Sequence, residues 1–156
     1  MRLNSFEALY AFAKQLESNI SGKSFKTKVI VTPSSVKESG VVMKVSLLKT
    51  FIPTAPLAAR AGRTLRVRVT VAGRAESMTG LKQAVEAIEA LDEFFIKDEL
   101  RLEVTNANGV IKPLANSRII QQVSTEDSFI DSPDSIAVQD VQDDRIVIIT
   151  IPQGEN

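Results

Sequence analysis

Residues 65–95 read LRVRVTVAGRAESMTGLKQAVEAIEALDEFF, and the spacing of their apolar positions changes partway along. Leu65, Val67, Val69 and Val71 alternate with Arg66, Arg68 and Thr70, the period that sends one set of side chains to a core and the other to the opposite face of a strand. Gly73 and Arg74 end this run. Ser77 then offers a capping hydroxyl, and Leu81, Ala84, Val85, Ile88, Leu91 and Phe95 recur at helical spacing, leaving Glu86, Glu89, Asp92 and Glu93 mainly on the wet side. A strand handing over to an amphipathic helix predicts a domain in which both kinds of element share one core.

Upstream, Asn4-Ser5-Phe6-Glu7 has the form of a capping box, and Phe6, Leu9, Tyr10, Ala13, Leu16 and Ile20 mark an opening helix that Gly22 stops. Phe25 to Thr32 and Val41 to Leu48 read as strands, turned by Pro33-Ser34-Ser35 and Ser39-Gly40. Lys49 to Gly62, KTFIPTAPLAARAG, has two prolines and no clean period, and reads as a long connection. Downstream, Leu100, Leu102 and Val104 alternate up to Asn106-Ala107-Asn108-Gly109, a hairpin turn signal. Arg118 to Ser124 is a further strand, and Ser135 to Val141 with Arg145 to Ile151 predicts a terminal hairpin turned by Gln142-Asp143-Asp144. The expected architecture is a single α+β domain over residues 1–156. It has one mixed or mainly antiparallel sheet with both helices packed on one face.

Composition removes several function classes. With neither cysteine nor histidine, the chain has no disulfide, no thiolate metal site and none of the usual histidine-based acid–base or nucleophilic machinery. No apolar run reaches the length of a membrane span, and MRLNSFEALYAF does not read as a secretory signal, which points to synthesis in the cytoplasm and no membrane partner. Gly22-Lys23-Ser24 resembles the end of a phosphate-binding loop, but Glu17 stands where the earlier glycine belongs, and a helix precedes it where a strand should. The acidic residues between Glu126 and Asp144 lack the spacing of a calcium loop and read as a solvated surface. No catalytic constellation, metal site or cofactor site emerges, so the chain reads as a non-enzyme.

Nineteen basic and nineteen acidic residues cancel, but residues 1–74 hold thirteen of the former against three of the latter, and residues 75–156 hold six against sixteen. One explanation is that the two halves interleave in the sheet and their charges mix. The other is head-to-tail self-association through complementary patches. Arg60, Arg63, Arg66 and Arg68 form the candidate basic surface, and Asp127, Asp131 and Asp134 its acidic counterpart. Phe51, Ile52 and Leu57 are apolar side chains on a connection that needs a partner, either the core or a neighbouring subunit. The arginines could also contact nucleic-acid phosphates, although no aromatic residues interleave with them as stacking platforms.

The strand, Gly-Arg step and helix of residues 65–95 resemble the tail-terminator proteins of long-tailed bacteriophages, including the Mu-type minor tail proteins. The N-terminal helix, the long approach to the central strand and the closing hairpin DDRIVII at residues 143–149 agree in order, so the resemblance covers nearly the whole chain. It implies a virion protein that forms a ring, commonly six-membered, on the head-proximal end of the tail tube. Such a ring stops tube polymerisation and offers a surface for head joining. Its implied partners are further copies of itself, the tail tube protein and a head connector or head-completion protein, with DNA only as passing cargo. Another tail or neck component, such as a tube or head-completion protein, and a small nucleic-acid-binding α+β module are the alternatives.

Overall fold

A computed structural model describes residues 3–21, 28–31, 40–51, 62–75, 77–122, 128–131 and 139–152. The opening helix, α1, spans Ser5–Ser21. Its capping box closes in both directions: the Glu7 amide donates to Asn4 Oδ1 at 2.8 Å and the Asn4 amide to Glu7 Oε1 at 3.3 Å. Strands β1 (Lys28–Val31), β2 (Val41–Phe51) and β3 (Arg63–Ala75) follow, then helix α2 (Met78–Phe95). The Ser77 hydroxyl accepts from the Gly80 amide and caps α2 as expected. Strands β4 (Glu103–Thr105), β5 (Ile111–Pro113), β6 (Arg118–Gln122), β7 (Phe129–Asp131) and β8 (Gln139–Ile151) complete the described chain.

The main sheet runs β1-β2-β3-β8-β6, with β7 pairing a separate stretch of β8. All its pairings are antiparallel except that of β1 with β2. The α+β class with a mixed, mainly antiparallel sheet is therefore the observed one. Strands β1 and β2 run parallel, with Lys28 opposite Val42 and Val31 opposite Val45. Residues 32–39, including the proposed turn, lie outside the described residues.

The larger correction is at the C-terminal end. Gln142-Asp143-Asp144 is not a turn; it is the middle of a thirteen-residue strand that pairs with β3 from Arg63 opposite Ile151 to Ala75 opposite Gln139. Every polar side chain in that stretch has a partner that holds it extended. Thr70 Oγ1 donates to Asp144 Oδ1 at 2.5 Å, Ser128 Oγ to Asp143 Oδ1 at 2.7 Å, and Gln142 Nε2 to Asp144 Oδ2 at 3.0 Å. The segment DDRIVII is thus one strand. Gly73 does not end β3 either: it lies within the ladder at a φ of +144°, and an added Cβ would fall 1.9 Å from the Gly40 carbonyl oxygen.

Both helices pack on the same face of the sheet. Leu65, Val67, Val69 and Val71 from β3, with Val147, Ile149 and Ile151 from β8, are almost completely enclosed there. Each such side chain contributes about 1.5–3 kcal/mol relative to its exposed state. From α1 come Ala8, Leu9, Phe12, Ala13, Leu16 and Ile20, and from α2 Ala84, Ala87, Ala90, Leu91 and Phe94, with Phe12 and Phe94 in tilted contact at 6.2 Å. The buried stripe of α2 is rotated from the expected one, because three alanines let the helix axis approach the sheet while Val85 turns out to solvent. Phe6 and Tyr10 likewise stack on one another outside the core, and Phe12 takes the interior position.

A small hairpin, β4 with β5, stands apart from the main sheet. Its turn is the Asn-rich one read from sequence, made by Asn106 Oδ1 accepting from the amides of Asn108 and Val110. Buried Gln15 ties the hairpin to α1 by donating to the Arg101 carbonyl at 2.9 Å and accepting from the Glu103 amide at 3.0 Å.

Candidate assembly surface

The strand period that buries Leu65, Val67 and Val69 places Arg66 and Arg68 on the other side of the sheet, away from both helices. The register then fixes their neighbours. One row across four strands is Ser46, Arg68, Ile146 and Gln122, and the next is Lys49, Arg66, Ile148 and Ile120. A third is Phe51, Thr64, Thr150 and Arg118. Four strands about 4.8 Å apart and three rows about 6.7 Å apart give a backbone footprint of roughly 14 by 13 Å. Arg66 and Arg68 are exposed, Phe51 is 53% exposed and Ile120 49% exposed. Among the described residues no element lies over these rows, and neither arginine has an ion-pair partner.

Phe51 reaches this face through a local irregularity. The β2–β3 register shifts between Leu47, which opposes the core residue Val67, and Lys49, which opposes Arg66. The extra residue, Leu48, reverses the alternation, so Lys49 and Phe51 join the arginine side. Without the bulge Phe51 would point toward the helices.

The opposite end of the same face is quieter. Thr70 and Val42 are buried there, Arg74 pairs with Asp140 at 3.4 Å, and Thr70 holds Asp144. Here the basic first half and acidic second half of the sequence do interleave, as the simpler expectation had it. The neutralisation stops at the Arg68 row, which leaves a basic and aliphatic area beyond it.

Strand β8 supplies the second unusual feature. Residues 146–151 read IVIITI, a nearly continuous apolar run of the kind found in strands covered on both faces. Val147, Ile149 and Ile151 are buried, whereas Ile146 and Ile148 are only partly buried beside the arginines.

The expected basic surface is therefore reassembled in part. Arg66 and Arg68 share the face with Phe51, but Arg63 lies at an odd position of β3 and points to the helix side, where its Nε is buried without a hydrogen-bond partner among the described residues. Ile52, Leu57, Arg60, Asp127 and Asp134 lie outside the described residues, as does Gly22-Lys23-Ser24. Asp131 is placed only by its backbone, paired with Gln139 in the β7–β8 ladder. Ile120, Ile148 and Lys49 are members of the face that sequence reading did not single out. The continuous run in β8 was the available signal for Ile148, and the bulge gave none for Lys49.

On the helix side, Arg145 carries a buried charge that bridges β8 to α2. Its side chain is 7% exposed; Nε donates to Asp143 Oδ2 at 2.7 Å and an Nη to Asp92 Oδ1. Burial on its own would lower the Arg145 pKa, but the hydrogen bonds and charges of Asp143 and Asp92 together outweigh it and raise the pKa. This triad fixes β8 against α2. Among the described residues no three histidine, cysteine or carboxylate side chains converge as a metal site, and no helix is long and apolar enough to cross a membrane.

A groove of about 310 Å³ lies between α1 and the β4–β5 hairpin, lined by Phe6, Tyr10, Lys14, Val104 and Ile111 among others. No protein-family model matches the chain, and a search of curated proteins finds no match.

Proposed function

We propose that this chain is a structural subunit that associates with copies of itself through the bare end of its sheet. The assembly on this reading is a ring that caps the head-proximal end of a phage tail tube, ends tube growth and presents the head-joining surface. The observation that carries self-association is the IVIITI strand, aliphatic on both faces but covered by the helices on only one, with Arg66 and Arg68 beside it exposed and without an ion-pair partner among the described residues. Exposed aliphatics flanked by uncompensated charge suit an interface centre with a steering rim. The footprint is smaller than the roughly 800 Å² per partner of a stable interface, so it forms the middle of the contact and adjoining segments must enlarge it.

The phage assignment is supported by the layout of strand, Gly-Arg step and helix in residues 65–95, to which the described fold adds a helix ending on Phe94 and Phe95. The closing hairpin that formed part of that layout is a single strand, and it lends no support. Ring closure needs a heterologous contact whose rotation returns to the start, since a contact that does not close yields filaments of the kind a tube protein makes.

Light scattering coupled to size exclusion at low and moderate salt tests the reading. An oligomer of roughly six copies, alone or on added tail tubes, is expected. A strict monomer in both salts and with tubes overturns it. Lys49, Arg66, Arg68 and Arg118 on one open face also suit phosphate contacts. A monomer whose DNA affinity falls steeply with salt would instead establish the nucleic-acid-binding alternative.

A further inference from the structure

The solvent side of α2 carries its own unexplained stripe. At 100° per residue, Met78, Val85, Glu89 and Ile96 fall within a band about 40° wide, and this band lies opposite Ala84, Ala87, Leu91 and Phe94 in the core. Met78 is 81% exposed and Ile96, at the C-cap, 77%. Glu89 is exposed and has no cationic partner among the described residues, whereas Glu86 pairs with Lys82 and Asp92 with Arg145. Among the described residues, the helix therefore presents an aliphatic ridge with the carboxylate of Glu89 not ion-paired, and the far side of the sheet presents aliphatics with Lys49, Arg66, Arg68 and Arg118, none of them ion-paired.

We propose that the occupant of the bare sheet face is this α2 ridge from a second copy of the chain. The proposal rests on the reading of the chain as self-associating, and it names the surface through which that association runs. Charge selects the partner: Glu89 would lie among Arg66 and Arg68, with Val85 and Ile96 against Ile120 and Ile148. Dimensions agree, because Val85 to Ile96 extends about 16 Å along the helix and the three rows extend about 13 Å before side chains are added. The rival apolar ridge, Phe6 and Tyr10 on α1, has the Lys14 ammonium 5.4 Å from the Tyr10 ring centre and would add a cation to a face that already carries Lys49, Arg66, Arg68 and Arg118.

Placement of the two patches also dictates the mode of assembly. The ridge and the bare face lie on opposite sides of the same two-layer molecule, so a copy that has docked its helix still offers its sheet. The contact is head-to-tail and adds copies in one direction.

A charge exchange tests this. Glu89→Arg on one preparation and Arg66→Glu with Arg68→Glu on another each place like charges across the contact, and each alone is expected to weaken self-association at least tenfold in sedimentation velocity. Mixed in equal amounts they are expected to regain assembly, because every contact is again complementary. Three outcomes overturn the proposal: Glu89→Arg still assembling as wild type does, both preparations failing with no recovery on mixing, or Lys14→Glu and Tyr10→Ala weakening assembly where Glu89→Arg does not. In each of these the wild-type chain still assembles and the self-association reading survives. A monomeric wild type removes both.

Discussion

Strands β3 and β8 show two different solutions on their two sides. Toward the helices, Leu65, Val67, Val69, Val147 and Ile149 are fully enclosed, and a charged group, Arg145, is admitted only with two carboxylates to meet it. Away from the helices the same strands carry exposed Arg66 and Arg68 and partly buried Ile146 and Ile148, with no element over them among the described residues. The first side is finished within one chain. The second mixes aliphatic and unpaired basic side chains, a combination that gains little from water and that a partner surface would complete.

Substitutions can break or sharpen this contrast. Phe12→Ala removes a completely buried ring from beside Phe94 and should cost about 3–5 kcal/mol in urea unfolding. A loss under about 1 kcal/mol would mean that the helix side is not a packed core. Arg145→Met leaves Asp143, whose side chain is 12% exposed, without its cation, and a loss of about 3 kcal/mol is expected by the same measurement. An unchanged midpoint would show that the triad does not fasten β8 to α2. Asn4→Ala opens the capping box and should lower stability by about 1 kcal/mol, with the helical circular dichroism signal fraying first. Replacing Arg66 and Arg68 with glutamate should move folding stability by no more than about 0.5 kcal/mol, since both are exposed and neither has an ion-pair partner among the described residues. A large destabilisation there would show that the monomer itself uses this face.

Much of the fold follows from local rules. The capping box at Asn4, the Ser77 cap, the alternation of β3 and the Asn106 turn each depend on residues a few positions apart, and all are present where their patterns predict. What failed depended on distant partners. Gln142-Asp143-Asp144 reads as a turn until Thr70 and Ser128 are known to hold its carboxylates in an extended strand. The stripe of α2 was displaced because Ala87 and Ala90, weak in any hydrophobicity pattern, are valuable where a helix must come close to a sheet. For the candidate surface, Arg66 and Arg68 were visible from period alone. Phe51 was picked as an apolar side chain needing a partner, but its place beside them depends on a bulge at Leu48 that no sequence pattern announces. Arg63, grouped with them by charge, sits on the wrong parity of its strand.

Strand β8 joins β3 on one side and both β6 and β7 on the other, and it follows all of them in the chain. A nascent polypeptide that has produced everything through β7 still lacks the strand to which three others must bind. Residues up to 88 positions apart, Arg63 and Ile151, meet only after that strand has emerged. Such long closures make folding slow, and β3 waits meanwhile with one edge unpaired. The chain is consequently most exposed to wrong pairing late in synthesis, and chaperone dependence should concentrate in that interval.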